Sequence, residues 1–254
     1  MKLEQPQAFR TVFFDAGLTL LHPHPSVAEV CFQVCQQLDL HVDMTQILAQ
    51  IEIAEDFYFR YIRANRHTWA DEKAITQFWI SYYMEILRPF VTEHDEQRLY
   101  QLASGVNDEF DKHTSWRLYP DVIETLTMLR AHHYYLGIIS DWGISLAPIL
   151  RHLGLIPYFD CLIVSATTRS AKPSPHLYET ALQRADAIPD YTLHIGDSYI
   201  NDVIGARSVG ITPILLDRAN RFTTHNVDCL LAHSLTDILA ILEVAQFERE
   251  HQKT

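Results

Sequence analysis

Thr11, Val12, Phe13 and Phe14 are β-branched or aromatic and show no alternation with polar residues. Such a run reads as a strand buried on both faces, which places it in the middle of a parallel sheet. Residues 22–115, which follow closely, contain no comparable strand pattern, and the next apolar strand run is Tyr134 to Ser140. A buried strand standing alone would leave its N–H and C=O groups without partners, so this one must pair with strands far downstream. The spacing therefore predicts a sheet domain built from residues 1–21 and 116–254, interrupted by an insertion over residues 22–115.

Beyond residue 116 the pattern alternates. Tyr119-Pro120-Asp121 opens a helix to about Arg130, with proline near its first turn, and Tyr134 to Ser140 follows as a strand. A helix over about Ile144 to Leu153, a strand Cys161 to Val164, a helix Pro175 to about Ala187 and a strand Tyr191 to Ile195 continue the series. Next come a helix Asp202 to about Val209, a strand Ile211 to Leu216, a loop through Asn226 and a short strand Asp228 to Leu231. A final helix starts at Ser234, boxed by Asp237. Repeated strand–helix units at this spacing imply an α/β fold of three layers, a mostly parallel sheet with helices on both faces.

The insertion reads as helical throughout. His22-Pro23-His24-Pro25 is a stiff connector, because each proline fixes its own φ and biases the residue before it away from helix. Ser26 and Glu29 have the spacing of a capping box for a helix to about Leu38, and Asp43 with Gln46 starts another that runs to Asn65. A third begins at Thr68 or Asp71 and stops before Pro89. A fourth begins near Thr92, with Asp95 at its third position, and reaches Phe110. Four such helices make a small bundle. Its many aromatic residues recur within helices of a non-basic segment, which favours core packing over a base-stacking surface.

A net charge of −12 argues against nonspecific binding to nucleic acid or to anionic membranes. No apolar run reaches membrane-spanning length and the first ten residues lack a secretory pattern, so the cytoplasm is the expected location. Cys31, Cys35, Cys161 and Cys229 form neither a disulfide framework nor a zinc box. Cys31 and Cys35, one helical turn apart, read as part of a buried helix face.

Four strand ends carry polar residues suited to one reaction. The first strand ends at Asp15, the second at Ser140, the region after the third supplies Lys172, and the fourth runs into Asp197 and Asp202. Each alone has a plainer role as a turn residue, helix cap or surface charge. Open α/β sheets gather their strand ends around one crevice, so together they form a candidate site.

VFFDAGLTL, LGIISDWG, SAKPSP and HIGDSYINDVIGARSVG, taken together, resemble the haloacid dehalogenase-like superfamily, in the phosphatase-like branch with a helical cap inserted after the first motif. The resemblance covers nearly the full length and implies a Rossmann-like core bearing a four-helix cap. It implies that Asp15 is the nucleophile, Ser140 a phosphate-binding hydroxyl and Lys172 the cation that neutralises the phosphoryl charge. Asp15, Asp197, Asp202 and the carbonyl of Gly17 then form the surroundings of Mg²⁺, and Thr19 closes the first motif. The expected substrate is a small phosphorylated metabolite. Oligomeric state stays open between monomer and dimer.

One departure matters. The family pattern has a second Asp two residues after the nucleophile, where it protonates the leaving group, but here that position is Gly17, followed by Leu18 in place of the customary glycine. Three readings follow: a phosphatase using another acid or a good leaving group such as an acyl phosphate, a binding or scaffold protein without turnover, and a 2-haloacid dehalogenase. His22, just after the first motif, is a candidate substitute acid, although a hinge-surface residue has the same signature. Arg60, Arg63 and Arg66 could meet an anionic substrate or simply be solvated, and Trp142 could line the cap interface or belong to the core.

Overall fold

In the structure, a computed structural model describing residues 3, 5–65, 67–92, 94–223 and 227–244, β1 (Thr11–Phe14) leads into β2 (Leu21–Pro23) and four helices. These are α1 (Val27–Gln37), α2 (Met44–Ala64), α3 (Glu72–Leu87) and α4 (Glu96–Phe110), after which β3 (Trp116–Leu118) returns the chain to the sheet domain. The remainder alternates: α5 (Val122–Ala131), β4 (Tyr135–Ser140), α6 (Leu146–His152), β5 (Cys161–Val164), α7 (Ser165–Thr168), α8 (Pro175–Ala185) and β6 (Thr192–Gly196). It closes with α9 (Gly205–Arg207), β7 (Thr212–Leu216), β8 (Leu230–Ala232) and α10 (Thr236–Ile241).

β1 lies inside a six-stranded sheet of order β5-β4-β1-β6-β7-β8, all pairs parallel. Its Phe13 sits opposite Gly137 on one side and His194 on the other. Alternation then sorts the side chains. Val12 and Phe14 join Leu136, Ile138, Leu193 and Ile195 in the core covered by α5, α6 and α10, whereas Phe13 joins Ile139, Ile163 and Tyr178 on the face covered by α8 and α9. From β1 the chain steps outward through β4 and β5, then crosses back to β6 on the other flank. That reversal beside β1 opens a crevice at the strand ends.

The four helices share a core of their own, centred on the fully buried Phe78, with the rings of Tyr61, Trp69 and Tyr58 at 5.0, 5.3 and 5.5 Å from it. Cys31 and Cys35 lie inside it as free thiols, and burial pushes the Cys35 thiol up to about 11. Ser26 and Glu29 form the expected capping box, with Ser26 N–H donating to Glu29 Oε2 at 2.7 Å. Asp43 and Asp71 cap α2 and α3 by accepting from Thr45 N–H and Ala74 N–H. Asp95 corrects the expectation for the fourth helix: it is the cap itself, accepting from Arg98 N–H at 3.1 Å, so the helix starts at Glu96.

Besides the unexpected short α7, two further elements differ from the sequence reading. Leu21–Pro23 pairs antiparallel with Trp116–Leu118, so the expected connector is one arm of a two-stranded ribbon. Pro23 is tolerated there because a two-stranded ribbon is all edge. The segment after β6 forms a π-helical turn, Tyr199–Ile204, before α9, where a helix from Asp202 was expected. The loop through Asn226 lies partly outside the described residues. Among the described residues no helix is long and apolar enough to cross a membrane.

Gly137 is required by close approach: a Cβ there would stand 2.7 Å from Cys161 Sγ and from two ring atoms of Phe13. Gly137→Ala is expected to destabilise the fold by about 1–3 kcal/mol through overpacking, read as a lowered urea midpoint with unchanged slope.

Candidate active site

Asp15 follows β1 directly, and its N–H still donates to Ile195 O at 2.8 Å, so its backbone is set by the sheet. Ser140, the last residue of the neighbouring β4, donates its hydroxyl to Asp15 Oδ1 at 3.1 Å. Lys172 Nζ donates to the same oxygen at 2.7 Å and to Asp202 Oδ1 at 2.6 Å. Asp15, Ser140, Lys172 and Asp202 are all buried. Asp197, one residue past β6, is close enough for the charges of Asp15 and Asp202 to act on it. The fold thus bonds Asp15, Ser140, Lys172 and Asp202 to one another at the end of β1, and Asp197 stands one residue past the neighbouring β6.

Their electrostatics follow from burial and pairing. Burial works against the Lys172 charge, yet Asp15 and Asp202 outweigh it and hold the ammonium well above the usual lysine range. Burial also raises Asp202, but Lys172 and His194 prevail and hold its carboxyl well below the usual carboxylate range. Asp15 is raised, mainly by burial, with Asp202 adding to it. Asp197 is pushed up to about 7 by burial and by the charges of Asp15 and Asp202.

Asp202 is anchored on both oxygens. Oδ1 receives Lys172 Nζ and lies 2.9 Å from His194 Nε2, while Oδ2 accepts from Ser198 N–H at 3.0 Å. The π-helical turn, capped by Ser198, aims Asp202 back toward Lys172; such turns recur at functional sites. A Cβ at Gly196 would lie 2.2 Å from the Asp202 carboxyl carbon, so only glycine fits there.

Gly17 has a specific neighbour. A Cβ built on it would meet Trp142 Cζ3 at 3.1 Å. The indole is fixed by Trp142 N–H to Ser165 Oγ, by Nε1–H to Ser145 Oγ, and by the Trp116 ring 4.7 Å away. Trp142 therefore belongs to both settings considered for it, packed on the sheet core and against the ribbon. Leu18 adopts φ 57° and is exposed, a left-handed conformation that glycine would take more easily. Thr19 is fully buried, and its carbonyl accepts from Arg218 Nη2.

His22 makes none of these hydrogen bonds. It sits in the ribbon with Nδ1 3.0 Å from Pro23 O and its ring 4.8 Å from Tyr119, and among the described residues no hydrogen bond or ion pair joins it to Asp15. Arg60 and Arg63 are exposed on α2, and Arg66 lies outside the described residues.

Sequence reasoning overlooked three residues. Asp141, next to Ser140, accepts from Lys172 N–H at 3.0 Å through Oδ1, and its Oδ2 is buried without a hydrogen-bond partner among the described residues; burial pushes its carboxyl up to about 7. His194 is fully buried, and burial lowers its pKa, so it backs Asp202 as a neutral imidazole. Tyr58 of α2 is raised to about 12 by burial and by the charges of Asp141, Asp197 and Asp15, so the inserted helices bring a protonated phenol near the site. The usable signals were an acid directly after a strand-end serine and a lone histidine inside an apolar strand.

Among the described residues no three His, Cys, Asp or Glu side chains form a ready cage for a metal. Magnesium asks for less, commonly one or two carboxylates with water and substrate oxygens completing its shell. Asp15 and Asp197 suit it, since a dication would relieve the repulsion that raises Asp197.

The family of haloacid dehalogenase-like hydrolases matches residues 12–216. Haloacid dehalogenase-like hydrolase domain-containing protein 3 of Danio rerio is 28% identical over 216 residues, covering 85% of this chain and 88% of its own. A glyceraldehyde 3-phosphate phosphatase of Methanothermobacter thermautotrophicus is 31% identical over 103 residues, 40% of this chain and 45% of its own. Among solved structures, the HAD-hydrolase YfnB from Bacillus subtilis bound to magnesium aligns with a TM-score of 0.73 at 19% identity, covering 92% of this chain and 98% of its own. With its central strand, its acids and its lysine gathered as described, the chain belongs to the haloacid dehalogenase-like hydrolase family.

Proposed function

We propose that this hydrolase is a magnesium-dependent phosphatase that acts on a small phosphorylated metabolite through an aspartyl-phosphate on Asp15. The observation that carries the reading is the double hold on one oxygen of Asp15, by the Ser140 hydroxyl and the Lys172 ammonium. That hold fixes the carboxylate at the end of β1, and the same two donors suit the nonbridging oxygens of an incoming phosphoryl group. The phosphatase relative supports the substrate class.

Asp15, Asp197 and the carbonyl of Gly17 are the groups that would hold Mg²⁺, with Asp202 adding charge while it anchors Lys172. When bound, the ion supplies the countercharge that lets a carboxylate approach a phosphate dianion. Asp15 then attacks phosphorus, and water later hydrolyses the acyl phosphate. Residues 22–115 act as a cap that encloses the substrate over the 1–21 and 116–254 core, and Tyr58 is a cap group on which the charges of Asp141, Asp197 and Asp15 act.

A second reading, a binding protein without turnover, is favoured by Trp142 lying over the acid-free Gly17. Dehalogenation gains nothing from the retained Asp197 and Asp202, which suit a cation.

Purified protein with Mg²⁺ is expected to release phosphate from a panel of phosphate monoesters and acyl phosphates. Chelation with EDTA is expected to abolish the release, and Asp15→Asn to reduce it by at least about 10³-fold with the circular dichroism spectrum unchanged. Magnesium binding without release from any substrate supports the binding protein instead, and metal-independent halide release from a 2-haloacid supports the dehalogenase. Lys172→Met leaves two buried carboxylates facing each other. It is expected to cost about 3–5 kcal/mol of metal-free stability, measured by urea unfolding, with partial recovery on adding Mg²⁺.

A further inference from the structure

Hydrolysis of an alkyl phosphate needs a proton for the leaving oxygen and a base for the attacking water, and Gly17 offers neither. We propose that Asp141 is the acid and base of this site. The inference rests on the phosphatase reading above and assigns the role that position 17 lacks.

The geometry supports it by what each carboxylate is already doing. Asp15 Oδ1 is taken by Ser140 and Lys172, both oxygens of Asp202 are taken by Lys172, His194 and Ser198, and Asp197 is suited to a cation. His194 is fully buried behind Asp202, and His22 packs on Tyr119 in the ribbon. His194 has a buried ring nitrogen, Nδ1, without a partner among the described residues, but its Nε2 is committed to Asp202. Asp141 differs from the other carboxylates of the site. The Lys172 N–H tethers one oxygen at 3.0 Å, and the other is buried with no hydrogen-bond partner among the described residues. A buried polar atom left without a partner is costly, and a substrate oxygen would satisfy it.

The groups acting on Asp141 come from every side: Lys172 before α8, Asp15 at the end of β1, Asp202 in the π-helical turn, Tyr58 on α2 and Tyr178 on α8. Burial outweighs the attraction of Lys172 and pushes the carboxyl up to about 7, so both protonation states are populated at neutral pH, as a group that must give and then take a proton requires. The same loop also accounts for Gly17. Trp142, the next residue, occupies the room beside it at 3.1 Å, so the segment after β4 fills one position and carries a carboxyl at another.

The proton is conserved over the cycle. As an Asp15 oxygen bonds to phosphorus and the ester P–O bond breaks, the Asp141 proton passes to the leaving alkoxide, giving the alcohol, the aspartyl-phosphate and an Asp141 carboxylate. Water then attacks phosphorus while that carboxylate takes its proton. The Asp15–phosphorus bond breaks, inorganic phosphate departs, and Asp141 is protonated again.

Asp141→Asn keeps an oxygen that can accept from the Lys172 N–H, so it removes the proton while sparing the tether. With Mg²⁺, glycerol phosphate and p-nitrophenyl phosphate separate the roles, because only the alkoxide needs a proton to leave. The expected result is a loss of about 10²–10⁴-fold in kcat for glycerol phosphate, an almost unchanged single-turnover burst of p-nitrophenol, and a phosphoenzyme visible by intact mass. Adding Gly17→Asp with Trp142→Ala to this variant is expected to restore glycerol phosphate turnover. A further readout is independent of turnover. The folded-state pKa of Asp141 lies above the unfolded carboxylate value of about 4, so its contribution to stability is complete below pH 4 and lost as pH rises to about 7. The melting temperature of the metal-free protein should fall across that window, and Asp141→Asn should flatten the fall. An unchanged ratio of the two substrates, or an unchanged pH slope, overturns the assignment to Asp141 while leaving the phosphatase intact. Absence of phosphate release from the unsubstituted protein overturns both.

Discussion

A single buried ammonium holds the site together. Lys172 Nζ bonds Asp15 from the end of β1 and Asp202 from the π-helical turn, and Lys172 N–H bonds Asp141 from the end of β4. Three segments far apart in the chain are thereby fixed to one residue. A buried ion pair contributes little net stability once desolvation is counted, but it discriminates sharply between arrangements, because an unpaired partner in the interior is expensive. The neighbourhood is built to keep that arrangement: Gly196 clears space for the Asp202 carboxylate, Ser198 N–H holds its second oxygen, and His194 backs its first.

The helical insertion meets the sheet domain at this same place. Glu72, at the start of α3, accepts from Ile144 N–H at 2.9 Å, and Trp116 in the ribbon packs on Trp142. Both contacts fall on the segment that follows Ser140 and carries Asp141. The loop that carries Asp141 is therefore also a loop on which the insertion rests, so packing between the two parts of the chain bears directly on the position of Asp141 and of the Lys172 N–H it accepts from.

Much of this was legible in the residues. The unbroken apolar run of β1 demanded partners on both sides, and the strand–helix rhythm after residue 116 supplied them. Asp15 and Ser140 could be named because they stand at the ends of β1 and β4, and Lys172 and Asp202 because they lie on the segments that follow β5 and β6. What stayed hidden depends on three-dimensional occupancy. That Trp142 fills the room beside Gly17 is a fact about ring placement, and that Asp141 Oδ2 lacks a partner among the described residues is a fact about its surroundings in space. The ribbon was missed because Leu21–Pro23 is short and ends in proline, and its pairing comes from a segment on the far side of the insertion. Asp95 was misplaced by one turn because capping preferences locate a helix start only loosely.

The packing of Trp142 against Gly17 and edge-on to Trp116 carries an optical consequence. Of the four tryptophans, Trp69 and Trp79 belong to the aromatic core of the insertion, while Trp116 and Trp142 form an edge-on pair where the ribbon meets the site loop. The emission of that pair depends on the distance between two rings carried by different parts of the chain. The protein thus carries an intrinsic fluorophore beside Gly17, on the loop that follows Ser140, whose emission reads out the packing of that loop without any added label.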